Sequence, residues 1–230
     1  MTLKELIYSR RNYFIGYSLF VAIITIILIL YPKTEGHLFV NGMHSPATDL
    51  FFKRITHLGD GITVVILGLV FLLLQIKKGL IFWLSGGLSG ALTQFFKRVV
   101  FDNHYRPVKF FGIHYPDIEL PLVAGIDMHS NFSFPSGHTT AAFAMMTAAS
   151  LLTKNKKADI IFILSAIIIS FSRVYLSQHF LEDILAGSFI GLVMSVIIFL
   201  IFHSKHLENK KWLNHKILPS RPKENNSLIK

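Results

Sequence analysis

The feature that most constrains this chain is a succession of apolar runs too long for the core of a water-soluble domain. Six segments read this way, at about 13–31, 61–76, 79–96, 138–153, 158–176 and 183–203. A helix crossing the hydrocarbon core of a bilayer needs roughly 17 to 25 apolar residues, a length that the first, fifth and sixth runs meet plainly. The third and fourth carry Gly, Ser, Thr and Ala, which favour contact with neighbouring helices over contact with lipid. A buried or re-entrant helix is the other reading of these two, because 138–153 is short for a span. Composition agrees with a membrane protein: 52% of residues are hydrophobic and 16% charged, with mean hydropathy +0.51. The expected fold is all-α, a polytopic bundle of about six transmembrane helices forming one domain over 1–203. The polar, basic stretch 204–230 lacks apolar periodicity and reads as a mobile cytoplasmic tail.

Arg10 and Arg11 precede the first run as basic residues precede the apolar part of a secretory signal. The run ends in Tyr-Pro-Lys-Thr without a small-residue cleavage site, so a retained first helix is expected. With the N-terminus cytoplasmic, both short inside connections are lysine clusters, Lys77-Lys78 and Lys154, Lys156 and Lys157, as the positive-inside rule requires. Lys97, Arg98, Arg106 and Lys109 then fall outside against that rule, which suggests a separate task for them. Much of the net charge of +10 faces an anionic inner leaflet, so it need not mean nucleic acid. The absence of cysteine removes disulfides, thiol nucleophiles and zinc–thiolate sites.

This topology delivers three polar clusters to the outer face. They are "KRVVFDNHYRP" (Lys97 to Pro107), "FPSGH" (Phe134 to His138) and "SRVYLSQHFLED" (Ser172 to Asp183). Ionisable groups at membrane depth are costly and are seldom found there without a partner or a task. Lys97, Arg106 and Arg173 supply fixed cations, His138 and His179 imidazoles, and Asp183 a carboxylate, a mixture that suits a phosphate dianion. In Pro135-Ser136-Gly137-His138, Ser136 can cap a helix and Gly137 permits close backbone approach, so the helix start can receive an anion. An ordinary loop-to-helix turn has the same sequence. His179 and Asp183 stand four apart and on a helix would share a face, where a carboxylate raises the basicity of the far ring nitrogen. A capping aspartate beside a surface histidine is the alternative.

Together the clusters resemble the three-part signature of the type 2 phosphatidic acid phosphatase and vanadium haloperoxidase superfamily: Lys-x6-Arg-Pro, Pro-Ser-Gly-His and Ser-Arg-x5-His-x3-Asp. The second part matches at Pro135 to His138, and the third as Ser172, Arg173, His179 and Asp183. The first departs, with eight residues between Lys97 and Arg106, or seven counting from Arg98. The resemblance covers about 60–200.

It implies that His179 is the nucleophile forming a phosphohistidine, that Asp183 orients it, and that His138 protonates the leaving oxygen and then activates water. Lys97, Arg106, Arg173, Ser136 and the Gly137 amide would hold the phosphoryl oxygens, with Arg98 a second candidate for the lysine's role. No metal and no other cofactor is called for. The partner is a membrane lipid phosphate, with phosphatidic acid, phosphatidylglycerol phosphate, undecaprenyl pyrophosphate and lipid A as candidates. The implied location is a bacterial inner membrane, both termini cytoplasmic and the site periplasmic. A phosphotransferase using the same intermediate, or a non-catalytic transporter or scaffold, are the competing functions. Asp102, Asn103, His104, Asp127, His129 and Asn131 read as solvated loop residues, with contact to a headgroup or leaving group the other reading; Glu182 reads as structural, and 47–61 either as an interfacial helix guiding a lipid into the site or as an ordinary amphipathic connection.

Overall fold

A computed structural model describes residues 2–153 and 155–218, and among them every regular element is helical. The helices are α1 (Leu3–Ser9), α2 (Arg11–Leu30), α3 (Lys33–Asn41), α4 (Pro46–Ile55), α5 (Gly61–Leu74), α6 (Ile76–Phe95), α7 (Pro107–His114), α8 (Gly137–Leu152), α9 (Ala158–Tyr175) and α10 (Leu181–Phe202). Each expected run is a helix: α2, α5, α6, α8, α9 and α10.

Four of them are long and apolar enough to cross a membrane: α2, α6 with its extension to Val100, α9 and α10. A fifth span results if Pro46–Gly59 and Gly61–Leu74, bent by 59° at their junction, count as one. Among the described residues the chain is thus a multi-pass helical bundle with four to five candidate spans, where about six were expected. The remaining helix, α8, has 16 residues, about 24 Å at ~1.5 Å per residue against a hydrocarbon core of about 30 Å. Its composition follows from its place. α8 packs against α6, α9 and α10 at once, so small and hydroxylated residues replace the lipid-facing apolar ones seen on α2 and α5. There Ile15, Leu19, Ile23, Ile62, Ile66 and Leu69 are exposed.

The tightest seam joins α8 to α10. Gly187 and Gly191, four residues apart, turn toward α8, and a Cβ on Gly187 would stand 2.6 Å from the Ser136 carbonyl oxygen. One turn on, Ser195 donates from Oγ to the Ala144 carbonyl at 2.9 Å. Small residues thus let two backbones approach as in other membrane helix pairs. At the far end of α8, Asp159 is buried, accepts from Ser150 at 2.8 Å and pairs with Arg10 at 3.5 Å, tying α2, α8 and α9 together.

The expectation of a free tail from 204 is corrected over 204–218. The Ile76 and Lys77 amides in the first turn of α6 donate to the carbonyls of His215 (3.2 Å) and Leu213 (2.8 Å), partners that a helix start otherwise lacks. Leu213 is fully buried. Residues 219–230 lie outside the described residues.

Candidate active site

The three polar clusters meet around the first turn of α8. In the first, the chain does not leave α6 at Phe95 but continues as a π-helical turn over Phe96–Val100, an irregularity often found at functional sites. That turn carries Lys97, which is 5% exposed and donates from Nζ to the Phe132 carbonyl at 2.8 Å. Arg98 points to the exposed side. Arg106 caps α7, and its backbone amide donates to Ser130. Its guanidinium reaches Asn131 through Nε (3.1 Å) and the Gln178 side chain through Nη1 (2.9 Å). The turn at 96–100 and the stretch to 106 absorb the long spacing between Lys97 and Arg106.

In the second cluster, Ser136 is the N-cap of α8, its Oγ accepting from the Thr139 amide at 3.4 Å. Its own amide donates to the Asp183 carbonyl at 3.0 Å. It is fully buried, so the structure has Ser136 holding the helix start from behind. Gly137 lines the cavity in front, and a Cβ there would meet nothing within 4 Å.

In the third, α9 ends just past Arg173. The amides of Gln178 and His179 both donate to the Arg173 carbonyl, at 2.9 and 3.1 Å, through a turn in which Ser177 takes φ of 50°. His179 therefore precedes α10 instead of sharing a helical face with Asp183. The pair still forms, because Asp183 sits in the first turn of α10 and folds back over the helix start. Its Oδ2 accepts from the Phe180 amide (2.9 Å), Ser133 Oγ (2.5 Å) and His179 Nδ1 (3.1 Å). Holding Nδ1 as the donor leaves Nε2 as the basic nitrogen of the ring. Burial, then the charges of Lys97, Arg106, Arg173 and His138, press the His179 pKa well below its ordinary 6.5, so the imidazole is neutral at neutral pH.

Lys97, Arg106, Gly137, His138, Arg173 and His179 line one cavity of about 440 Å³. Arg173 donates from Nη1 to Thr56 Oγ1 at 2.6 Å, while its buried Nε has no partner among the described residues. A buried donor without an acceptor is costly, and its residue lines the cavity together with Lys97 and Arg106. Asp127 and His129 also line the cavity. The arrangement brings one imidazole with a free basic nitrogen, a second imidazole and three cationic side chains to the lining of one cavity.

Several neighbours were not legible in the sequence. Asp60 Oδ1 lies 2.7 Å from His138 Nε2, and Asp60 Oδ2 accepts from His57 Nδ1 at 3.0 Å. Thr56, Ser133 and Gln178 hold Arg173, Asp183 and Arg106 in turn. Ser133, inside the polar run before Pro135, and Gln178, inside the third cluster, had a local signal. A second cavity of about 550 Å³ shares Asp60, Gln94, Gly137 and His138 and runs on between α5 and α6 past Val64, Val65 and Trp83.

The profile of the PAP2 superfamily matches residues 78–207, which carry all of these histidines and cations except His57. The chain belongs to the PAP2 superfamily. Among its PAP2 relatives, phosphatidylglycerophosphatase B of Bacillus subtilis is 33% identical over 89 residues, 34% of this chain and 43% of that protein. The chain thus spans under half the length of that relative. Lipid A 4'-phosphatase of Bacteroides thetaiotaomicron is 26% identical over 174 residues, 74% of this chain and 76% of that one. Among solved structures, Aquifex aeolicus LpxE superposes with a TM-score of 0.63 at 26% identity, covering 73% of this chain and 94% of its own. The PAP2-type phosphatidylglycerolphosphate phosphatase of B. subtilis shares the fold, with a TM-score of 0.60 at 22% identity over 89% of this chain and 99% of that one.

Proposed function

We propose that the chain is a metal-independent phosphatase of membrane lipids working through a phosphohistidine. The observation that carries this reading is a single cavity holding His179, with Nδ1 bonded to Asp183, and His138, among Lys97, Arg106 and Arg173. His179 Nε2 attacks phosphorus, the N–P bond forms, and the ester P–O bond breaks as His138 gives its proton to the leaving oxygen. His138 then takes a proton from water, the hydroxide attacks phosphorus, and the N–P bond breaks to release phosphate and free His179. The cations and the Gly137 amide at the start of α8 hold the equatorial oxygens as charge develops on them. A cationic cradle of this kind supplies the electrostatic role that a metal ion has elsewhere.

The substrate class follows from the surroundings. The second cavity leads from His138 along an apolar wall between α5 and α6, the surface an acyl or prenyl chain would follow. Phosphatidic acid, phosphatidylglycerol phosphate, undecaprenyl pyrophosphate and lipid A are the candidates, and the names of the relatives favour phosphatidylglycerol phosphate and lipid A. In the proposed topology α5 and α8 also cross, giving six spans with both termini cytoplasmic and the cavity at the periplasmic face. A reporter fused after residue 110 reads outside the cytoplasm on this account, and a cytoplasmic signal inverts it.

The test of function is phosphate release by purified protein in detergent from those four lipids, with and without EDTA. Wild type should release phosphate from at least one lipid with EDTA present, and His179→Ala should not. Release that survives in the variant removes the nucleophile, and loss of wild-type release on chelation removes the metal-free mechanism.

A further inference from the structure

The nucleophile is not the only histidine with a carboxylate of its own. We infer that Asp60 is the positioning residue of the proton-transfer step, holding His138 so that its proton reaches the leaving oxygen. The inference rests on the phosphatase reading above and adds to it a residue outside the three motif parts.

Asp60 is the N-cap of α5, yet its side chain makes no capping bond. An aspartate at that position ordinarily accepts from an amide in the first helical turn. Here both oxygens are engaged elsewhere, Oδ1 with His138 Nε2 at 2.7 Å and Oδ2 with His57 Nδ1 at 3.0 Å. The second contact fixes the rotation of the carboxylate and so the direction in which the first acts. The approach is built into the backbone: a Cβ on Gly59 would lie 3.1 Å from both His138 Cβ and the His138 carbonyl oxygen, so a side chain there would push this turn and α8 apart by a few tenths of an ångström. Asp60 also lines both cavities, where the reacting group would lie.

The charges around His138 explain why such a partner is needed. Arg173 from α9 and Arg106 ahead of α7 both act on it with positive charge, and Lys97 lines the same cavity. Each of these cations opposes a further proton on His138. Asp60 is the one carboxylate within ion-pair distance of His138 among the described residues. It favours the protonated ring and fixes its orientation, the two things a proton donor requires. As in the Asp183–His179 pair a carboxylate holds one ring nitrogen, but here it is Nε2, so the proton that passes to the leaving oxygen is the one on Nδ1 of His138.

The consequence is specific to the leaving group. A lipid alkoxide leaves only with a proton, whereas p-nitrophenolate leaves without one. The experiment compares kcat/KM for dioctanoyl phosphatidic acid and p-nitrophenyl phosphate in wild type, Asp60→Asn, Asp60→Glu and His138→Ala. kcat/KM reports the steps through formation of the phosphoenzyme, and the ratio of the two substrates within one preparation cancels any difference in folded fraction.

Asp60→Asn should lose about 100-fold on the alkyl substrate, the size of a general-acid contribution, and about threefold or less on the aryl one. His138→Ala should show the same selectivity, and Asp60→Glu should regain part of the alkyl rate. Equal losses on both substrates in Asp60→Asn would reduce Asp60 to a structural part, and no loss would remove it altogether. If His138→Ala is itself unselective, the acid role of His138 fails, and the Asp60 proposal falls with it for a reason distinct from either other outcome.

Discussion

Gly187 is the position where packing and catalysis can be separated by one methyl group. In Gly187→Ala the new Cβ would lie 2.6 Å from the Ser136 carbonyl oxygen, and ordinary contact begins at 3.4 Å, so α8 and α10 must part by about 0.8 Å there. The atom in the way is backbone, at the cap of the helix that carries His138. Ser136 also donates to the Asp183 carbonyl at 3.0 Å, so moving it loosens the link between the turn holding His138 and the turn holding Asp183 and His179. Overpacking of this kind costs about 1–3 kcal/mol of stability. A shift near 1 Å between reacting groups costs about 100-fold in rate. The expected result is a drop in kcat/KM of about 100-fold in protein that still folds, with a melting temperature lowered by a few degrees. Gly112→Ala is the control, since a Cβ there meets nothing within 4 Å, and it should match wild type in both readouts. Wild-type kcat/KM in Gly187→Ala would refute the claim that the α8–α10 seam sets the site's geometry.

Three further outcomes follow from individual contacts. Ser133→Ala removes one of three donors to Asp183 Oδ2, and a bond to a buried charge is worth about 1.5–3 kcal/mol, so kcat/KM should fall at least about tenfold; Ser133→Thr, which keeps the hydroxyl, should fall less. Arg173→Lys removes the partnerless Nε and the planar fork and should lower kcat about 100-fold with KM less affected, as expected of a group that meets developing charge. Nitrogen NMR of ¹⁵N-histidine protein should find His179 still neutral at pH 6.5, its titration pushed lower by burial and the nearby cations. The unfolded state binds the extra proton first, so this group contributes stability above 6.5 that is lost as pH falls; a His179 midpoint at or above 6.5 would contradict the site's electrostatics.

The parts of this protein that were legible in the sequence are those written locally. Apolar runs marked α2, α9 and α10, and Ser-Gly-His marked the start of α8. The rest depends on contacts across sequence. α8 looked like a weak span because its lipid-facing positions are filled by protein, which composition records only as an excess of small residues. The long gap between Lys97 and Arg106 left two cations eligible; the π-helical turn buries Lys97 at the cavity and leaves Arg98 exposed. The partners of Asp60, Thr56 and Gln178 had no signal, because each is acquired only when two distant segments meet. The His179–Asp183 spacing suggested a shared helical face, whereas the contact comes from a carboxylate folded over a helix start. The tail's lack of periodicity hid Leu213, the one buried residue among the described residues of 204–218.

The central claim is that His179 is the atom-for-atom acceptor of the phosphoryl group. Purified protein mixed with ³²P-labelled substrate, quenched in alkali within the first turnover and digested for mass spectrometry tests it directly. An acid-labile phosphate should appear on the peptide containing His179 and be absent in His179→Ala. Label on another residue, or turnover with no trapped phosphoenzyme under conditions where release is slow, would contradict it.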